Sequence, residues 1–176
     1  LSEPPFNDPK LRRAFSLAID RERLVAMLGR GELPAFGLVP PGVRSHDPFL
    51  PEWRDADRAI REQLSREAIA ASAHRGGEVQ VIRLAYDAGD VHQKVALALR
   101  SMWQEVLGVE VSLQQMEWKA YLDMRGDRAA WQVMRFVWVG DYDDASSFTD
   151  LFVSGGPQNL PGYANPRYDE LLARAS

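Results

Sequence analysis

Residues 135–148 read RFVWVGDYDDASSF, and this stretch decides the interpretation of the whole chain. An apolar run from Val133 to Val139, interrupted by a single arginine, has the length and the aromatic and β-branched composition of a strand. The run ends at Gly140, and three aspartates and a tyrosine follow it. We therefore predict a buried strand that releases Trp138 and carboxylates at its carboxyl end, the edge where α/β sheets usually bind ligands.

An aromatic face beside a carboxylate is a chemically suitable receptor for a cation. The ring supplies cation–π attraction, and the carboxylate accepts a charge-assisted hydrogen bond. A Trp in the core followed by a solvated acidic turn explains the same pattern equally well. The residues alone leave both interpretations open.

Composition excludes several classes of function. A length of 176 residues corresponds to about one domain, and a net charge of −4 argues against nucleic acid as the main partner. The absence of cysteine excludes thiol catalysis, disulfides and Cys-based metal sites. No apolar run approaches the roughly 20 residues of a membrane span, and there is no signal peptide. Because the chain begins with Leu1 and stops soon after a predicted helix starts, we expect a piece of a longer protein.

The order of predicted elements indicates an α/β fold, with a mixed sheet flanked by helices. A strand over Val79–Tyr86, a helix over Val91–Leu107 and a strand over Val109–Gln115 predict a parallel pair joined by a helical crossover. Asp8 and Asp20 are predicted to cap two early helices, and Gly108 to end the long one. Further helices are expected over 55–74, 117–124, near Phe148–Phe152, and from Asn165.

Five blocks of the sequence resemble, in order, the oligopeptide-binding proteins of bacterial ABC importers, which belong to the peptide/nickel group of extracytoplasmic solute-binding proteins. These blocks are FNDPKLRRAFSLAIDRERLV, GLVPPGV, HQKVALALRSMWQEVLGVEVSLQQMEWKAYLDMR, WVGDYDDASSF and GYANPRYDELLARA. The resemblance covers nearly the whole chain.

The resemblance implies one lobe of a two-lobed (type II) periplasmic binding protein. Residues 1–176 then form a single domain, most of the second, C-terminal lobe of a receptor about three times longer. It also implies a periplasmic location, with the signal peptide on the missing N-terminal part. The expected partners are an oligopeptide, the missing first lobe and the ABC permease. The resemblance implies no catalysis, no cofactor and no metal.

The family's ligand-binding positions match six residues of this chain. The Trp-x-x-Asp-Tyr segment of the family matches Trp138, Asp141 and Tyr142, and the resemblance implies that Asp141 pairs with the α-amino group of a peptide. Histidine and arginine residues of the family, which can serve peptide carboxylates, match His92, Arg125 and Arg135.

The chain departs from the family pattern at four positions near this segment. Asp143 and Ala145 stand where Asn and Pro are common, which puts the shape of the acidic turn in doubt. Phe136 and Val137 stand where small residues are common, which puts the size of nearby side-chain pockets in doubt.

Each site residue also has a structural alternative. Asp141 could cap the helix after the turn, Trp138 could lie half in the core, and His92 could be a surface residue. Arg125 and Arg135 could be structural partners of Glu117 or Asp123. Asp143 and Asp144 are expected to be solvated charges with little effect on affinity.

Three rival functions remain open at this stage. A metal-dependent enzyme could use Asp141, Asp143, Asp144 and Asp150, although Ser146 and Phe152 stand where a calcium loop requires glycine and glutamate. A protein-interaction domain would instead expose an apolar patch. A receptor of the same type could carry a non-peptide ligand, such as a nickel chelate or an oligosaccharide.

Overall fold

The computed structural model describes residues 3–44, 46–47, 49–74, 81–127 and 129–175. They form two compact units: a larger unit made of residues 2–34 and 55–136, and a smaller unit made of residues 35–54 and 137–176. The chain passes from the larger to the smaller unit after Phe136. No helix in the described ranges combines the length and apolar character of a membrane span.

The larger unit contains five helices and three strands among its described residues. These are α1 (Pro9–Leu17), α2 (Arg21–Leu28), α3 (Arg58–Ala70), β1 (Ile82–Asp87), α4 (Asp90–Leu107), β2 (Val111–Met116), α5 (Trp118–Arg125) and β3 (Val133–Met134). The smaller unit contains α6 (Ser146–Thr149), a 3₁₀ turn (Asp150–Phe152) and α7 (Pro166–Ala175).

The predicted helix ends are confirmed. The side chain of Asp8 accepts a hydrogen bond from the backbone N–H of Lys10, and Asp20 does the same for Arg23. These bonds satisfy N–H groups that have no partner within the first turn of a helix. Helix α4 ends at Gly108, whose φ of +67° lies in the left-handed region that favours glycine.

The sheet has the strand order β2-β1-β3, and both pairs are parallel. Ile82 lies opposite Val111, and Leu84 opposite Val133, so β1 is the central strand. The predicted parallel pairing of the strands on either side of α4 is confirmed. The predicted start of the first strand, at Val79, lies outside the described residues.

The strand predicted over Val133–Val139 is confirmed only at its start, and its residues there are half-buried rather than buried. Pairing with β1 covers Val133 and Met134, with one further hydrogen bond from the N–H of Arg135 to the carbonyl of Ala85. The carbonyl of Arg135 instead accepts from the hydroxyl of Tyr121, so a side chain takes the place of a neighbouring strand. Beyond this point Val139 is 79% exposed.

The core of the larger unit places the start of α4 beside the end of β1. Trp103 is 3% exposed, packs against the ring of Phe15 and donates from Nε1 to the Phe15 carbonyl at 2.9 Å. Met102 is also buried, and Leu99 packs on the core from one side. These three residues of α4 therefore face the core, whereas Val95 is half-buried.

Side-chain hydrogen bonds hold the helices of the smaller unit together. Tyr168 of α7 donates from its hydroxyl to the carbonyl of Thr149, and Asp169 accepts from the N–H of Ser154. Asn165, predicted to cap α7, accepts from the N–H of Arg167. These contacts brace the segment that carries the acidic turn.

Candidate functional site

The six predicted ligand-binding residues fall into two groups. His92, Arg125 and Arg135 belong to the larger unit, and Trp138, Asp141 and Tyr142 to the smaller one.

A buried carboxylate, Asp87, is the centre of the first group. It is the last residue of the central strand β1, and it is 9% exposed. Its Oδ1 lies 2.5 Å from Nδ1 of His92 in the first turn of α4, although the ring N–H is not aligned with that oxygen as a hydrogen bond requires. The ring of His92 packs against Gly89, so the turn between β1 and α4 holds the imidazole beside the strand end.

Arg135 approaches the same carboxylate oxygen from the other side. Its Nη1 lies 3.9 Å from Oδ1 of Asp87, and the side chain is 17% exposed. Burial lowers the pKa of Arg135, while the charge of Asp87 opposes that shift. The Nη1 atom is buried and forms no hydrogen bond with any residue that the structure describes. A guanidinium donor is therefore available at this point of the group.

Helix α5 supports Arg135 and carries Arg125. The hydroxyl of Tyr121 donates to the carbonyl of Arg135, and burial, followed by the charge of Asp87, raises the pKa of Tyr121. Tyr121 therefore stays a neutral donor. The guanidinium of Arg125 lies 5.3 Å from the ring centre of Phe136, a cation–π contact. The sequence-based partners of the two arginines, Glu117 and Asp123, make no ion pair with them within the described residues.

Sequence reasoning missed Asp87. In the sequence it stands just before the long helix, where an acidic residue is common in a turn and needs no explanation. The available signal was its position at the carboxyl end of an apolar strand, five residues before His92. A carboxylate there is buried and has to find a cation.

Ser147 organises the second group. Its backbone carbonyl accepts from Nε1 of Trp138 at 2.8 Å, and its hydroxyl accepts from the backbone N–H of Asp141 at 2.8 Å. Ser147 lies in α6 and is 6% exposed. One residue thus fixes both the Trp138 ring and the backbone of Asp141.

The carboxylate of Asp141 is left open by this arrangement. Asp141 is exposed, and its carboxylate makes no hydrogen bond or ion pair with any part of the chain that the structure describes. At the start of α6, Asp144 accepts from both the N–H and the hydroxyl of Ser146, and these bonds lower the pKa of Asp144. Asp144, and not Asp141, thus bonds the first residue of α6.

Asp143 is exposed, as the sequence predicts, but its carboxylate also has partners in the chain. Its Oδ1 accepts from the backbone N–H of Arg44 at 2.9 Å, and its Oδ2 lies 3.4 Å from Nε of Arg44. The carboxylate ties the acidic turn to the segment 35–54. Neither Asp143 nor Asp144 is therefore a neutral control for Asp141.

Tyr142 and Gly140 complete the turn. Tyr142 is 55% exposed, and its hydroxyl lies 3.3 Å from that of Ser146. A Cβ atom placed on Gly140 would lie 2.8 Å from Cζ of Phe148, so this ring packs directly on the glycine backbone. Among the described residues, no three His, Cys, Asp or Glu side chains are arranged to hold a metal ion.

Comparison with known proteins identifies the family. Residues 1–159 match the model of the bacterial extracellular solute-binding proteins, family 5, middle region. The chain belongs to this family. Among the curated members, it is 36% identical over 176 residues to the periplasmic murein peptide-binding protein MppA of Escherichia coli, covering 98% of this chain and 32% of MppA.

Two further proteins are similar to nearly the whole chain. The "Probable deoxycholate-binding periplasmic protein YgiS" of Escherichia coli is 33% identical over 178 residues, covering 100% of this chain and 33% of YgiS. The solved structure of OppA from Burkholderia pseudomallei is 36% identical, with a TM-score of 0.93 over 99% of this chain and 35% of that chain. The chain thus spans about a third of the length of these relatives.

Proposed function

We propose that this chain is part of an extracytoplasmic receptor that captures peptides for an ABC importer. The observation that carries the proposal is the open carboxylate of Asp141, held by its backbone on Ser147, together with Trp138 held on the same residue. A fixed carboxylate near an aromatic ring suits the α-ammonium of a peptide. The match to a peptide-binding relative supports the same function.

The first group of residues is assigned to anionic parts of the ligand. Arg135 has a buried donor that no described residue uses, and His92 lies beside it on the same carboxylate. Guanidinium and imidazolium donors are suited to carboxylates. Arg125, whose cation lies over Phe136, is assigned to the same anionic part.

The proposal extends to the missing parts of the receptor. Residues 1–176 are assigned to most of the second lobe, as a single domain, and a first lobe closes on the ligand by a hinge movement. The permease receives the peptide, and a signal peptide on the missing N-terminal part directs the receptor to the periplasm. The chain is assigned binding and no catalysis.

A bile-acid-like ligand is the second candidate. The similarity to YgiS and the exposed apolar side chains of Phe136, Val137 and Val139 favour it. Such a ligand has a carboxylate but no ammonium group, so it would use Arg135 and leave Asp141 without a partner.

Mass spectrometry of ligands that co-purify with the complete receptor, followed by calorimetry, tests the proposal. We expect peptides to co-purify, and alanine peptides of three to five residues to bind with micromolar or tighter dissociation constants, about −8 kcal/mol or better. N-acetylated versions of the same peptides are the matched control and should bind much more weakly. Tight binding of deoxycholate, with no binding of any alanine peptide, would overturn the peptide proposal in favour of the second candidate.

A further inference from the structure

The charge and orientation of the group around Asp87 lead to an inference that rests on the proposed function. We propose that Asp87 is a positioning residue that directs Nδ1 of His92 inward, so that binding of a ligand carboxylate at His92 and Arg135 is coupled to uptake of one proton by His92.

The carboxylate of Asp87 is buried. A carboxylate that is 9% exposed is costly unless cations or donors surround it. Oδ1 of Asp87 meets two such groups, Nδ1 of His92 at 2.5 Å and Nη1 of Arg135 at 3.9 Å. One oxygen atom of Asp87 therefore faces both side chains, although neither nitrogen makes a hydrogen bond with a described residue.

Nδ1 of His92 lies 2.5 Å from the oxygen of Asp87, where an unprotonated nitrogen would set its lone pair against an anion. This nitrogen therefore carries the proton in the neutral ring, even though its N–H is not aligned as a hydrogen bond, and Nε2 is then an acceptor. An acceptor repels a carboxylate. After protonation Nε2 also bears a hydrogen, and it can donate to that carboxylate.

The net charge of Asp87, His92 and Arg135 depends on the protonation of His92. With a neutral imidazole, Asp87 and Arg135 sum to zero, and with an imidazolium the group carries a single positive charge. One ligand carboxylate neutralises that charge. Within the part of the chain that the structure describes, the other titratable or charged groups around these three residues include Asp90 on the same helix, and Tyr121 and Arg125 on α5. Tyr121 stays neutral because burial raises its pKa, and Asp90 is exposed. Arg125, over Phe136, is a cation in both states of His92, so it leaves the difference of one charge between those states unchanged.

The inference goes beyond assigning His92 to the ligand. Because Asp87 keeps the proton of the neutral ring on Nδ1, Nε2 of His92 is an acceptor when the ring is uncharged and a donor when it is charged. A peptide whose C-terminal carboxylate reaches this group selects the charged donor. A peptide amide at the same place does not.

Calorimetry of the complete receptor tests the coupling. Titrations of alanine peptides of three to five residues at pH 8, in two buffers of different ionisation enthalpy, report the protons taken up on binding. For at least one peptide length, we expect the receptor to take up a large part of about one proton on binding. Binding of the same peptide with a C-terminal amide should cause no proton uptake. The substitution His92→Gln should abolish the uptake with the free carboxylate.

Two carboxylate variants distinguish the role of Asp87 from nearby charge. Asp87→Asn should lower the uptake by at least about half, because the anion that stabilises the imidazolium is lost. The matched control Asp90→Asn, on an exposed residue two positions before His92, should leave the uptake nearly unchanged. Two results would overturn the inference. One is that no peptide that binds the native receptor causes proton uptake; the other is that the uptake is the same in Asp87→Asn as in the native receptor.

A measurement without ligand separates this inference from the proposed function. In ¹⁵N spectra of the complete native receptor at pH 8.5, the neutral ring of His92, assigned by its loss in His92→Gln, should carry its proton on Nδ1. A ring protonated on Nε2 would refute the positioning role of Asp87, whatever the ligand. If no alanine peptide binds, the proposed function fails, and the protonated nitrogen alone decides whether Asp87 orients His92.

Discussion

The backbone N–H of Asp141 donates a 2.8 Å hydrogen bond to the hydroxyl oxygen of Ser147, a residue that is 6% exposed. We expect Ser147→Ala to lower the free energy of unfolding by about 1 kcal/mol, because the Asp141 donor loses its partner. Urea denaturation measures this change. Ser101→Ala, at an exposed position of α4, is the control and should change stability by less than about 0.5 kcal/mol. Equal effects of the two substitutions would show that the hydroxyl does not hold the turn.

Removing the charge of Asp141 should weaken binding of free-amine peptides to the complete receptor. If the carboxylate pairs with an α-ammonium in a closed site, its loss costs about 2–5 kcal/mol, equivalent to roughly 30-fold to several thousandfold in affinity. Calorimetry with native and Asp141→Asn receptors measures this loss.

Two controls sharpen the Asp141 experiment. N-acetylated peptides lack the ammonium, so Asp141→Asn should hardly change their affinity further. Asp150→Asn, at another exposed carboxylate of the same unit, should change affinity by less than about 1 kcal/mol. Unchanged affinity of free-amine peptides for Asp141→Asn would rule out amine recognition by this residue.

The hydrogen bond and ion pair between Arg44 and Asp143 predict that removing the two side chains lowers the free energy of unfolding by unequal amounts. Both are largely exposed, at 80% and 54%, so Arg44→Ala should cost less than about 1 kcal/mol. Asp143→Ala should cost more, about 1–2 kcal/mol, because it also removes the acceptor for the Arg44 N–H. Thermal or chemical unfolding of both variants measures the difference. A larger loss for Arg44→Ala would contradict the dominant role of the backbone bond.

Trp103→Ala should be among the most destabilising substitutions in α4. A buried Trp replaced by Ala typically costs about 3–5 kcal/mol, and here the hydrogen bond to the Phe15 carbonyl is also lost. Trp118→Ala is the matched control, since Trp118 is 58% exposed and should cost much less. Chemical denaturation that shows a loss below about 1 kcal/mol for Trp103→Ala would place this residue outside the core.

The isolated 176-residue chain should bind peptides very weakly. In a two-lobed receptor the first lobe supplies many of the contacts, so we expect dissociation constants above about 1 mM, or less than about 4 kcal/mol. Calorimetry of the fragment with alanine peptides tests this. Micromolar binding by the fragment would contradict the two-lobe proposal.

Local patterns were sufficient to predict the helices and the parallel pair. The caps at Asp8 and Asp20 and the end of α4 at Gly108 depend on residues close in sequence, which is why those predictions hold. The extent of β3 depends instead on where the carbonyl of Arg135 finds a donor, and that donor is the side chain of Tyr121. Composition of residues 133–139 carries no information about such a partner.

The same distinction explains what was missed in the candidate site. Asp141 and Trp138 could be proposed from one short stretch and a family resemblance. The partners of Asp143 and Asp87 could not, because Arg44 is 99 residues from Asp143, and Arg135 is 48 positions beyond Asp87. A carboxylate in a turn looks the same in the sequence whether water or a distant arginine surrounds it.

The smaller unit is assembled from two stretches that the ribosome makes far apart in time. At about 5–20 residues per second, the 99 residues between Arg44 and Asp143 take roughly 5–20 s to synthesise. During this interval the segment 35–54 exists without the carboxylate that later receives the Arg44 N–H. During synthesis, the contact between Arg44 and Asp143 therefore forms only after the whole of residues 55–136 has been made.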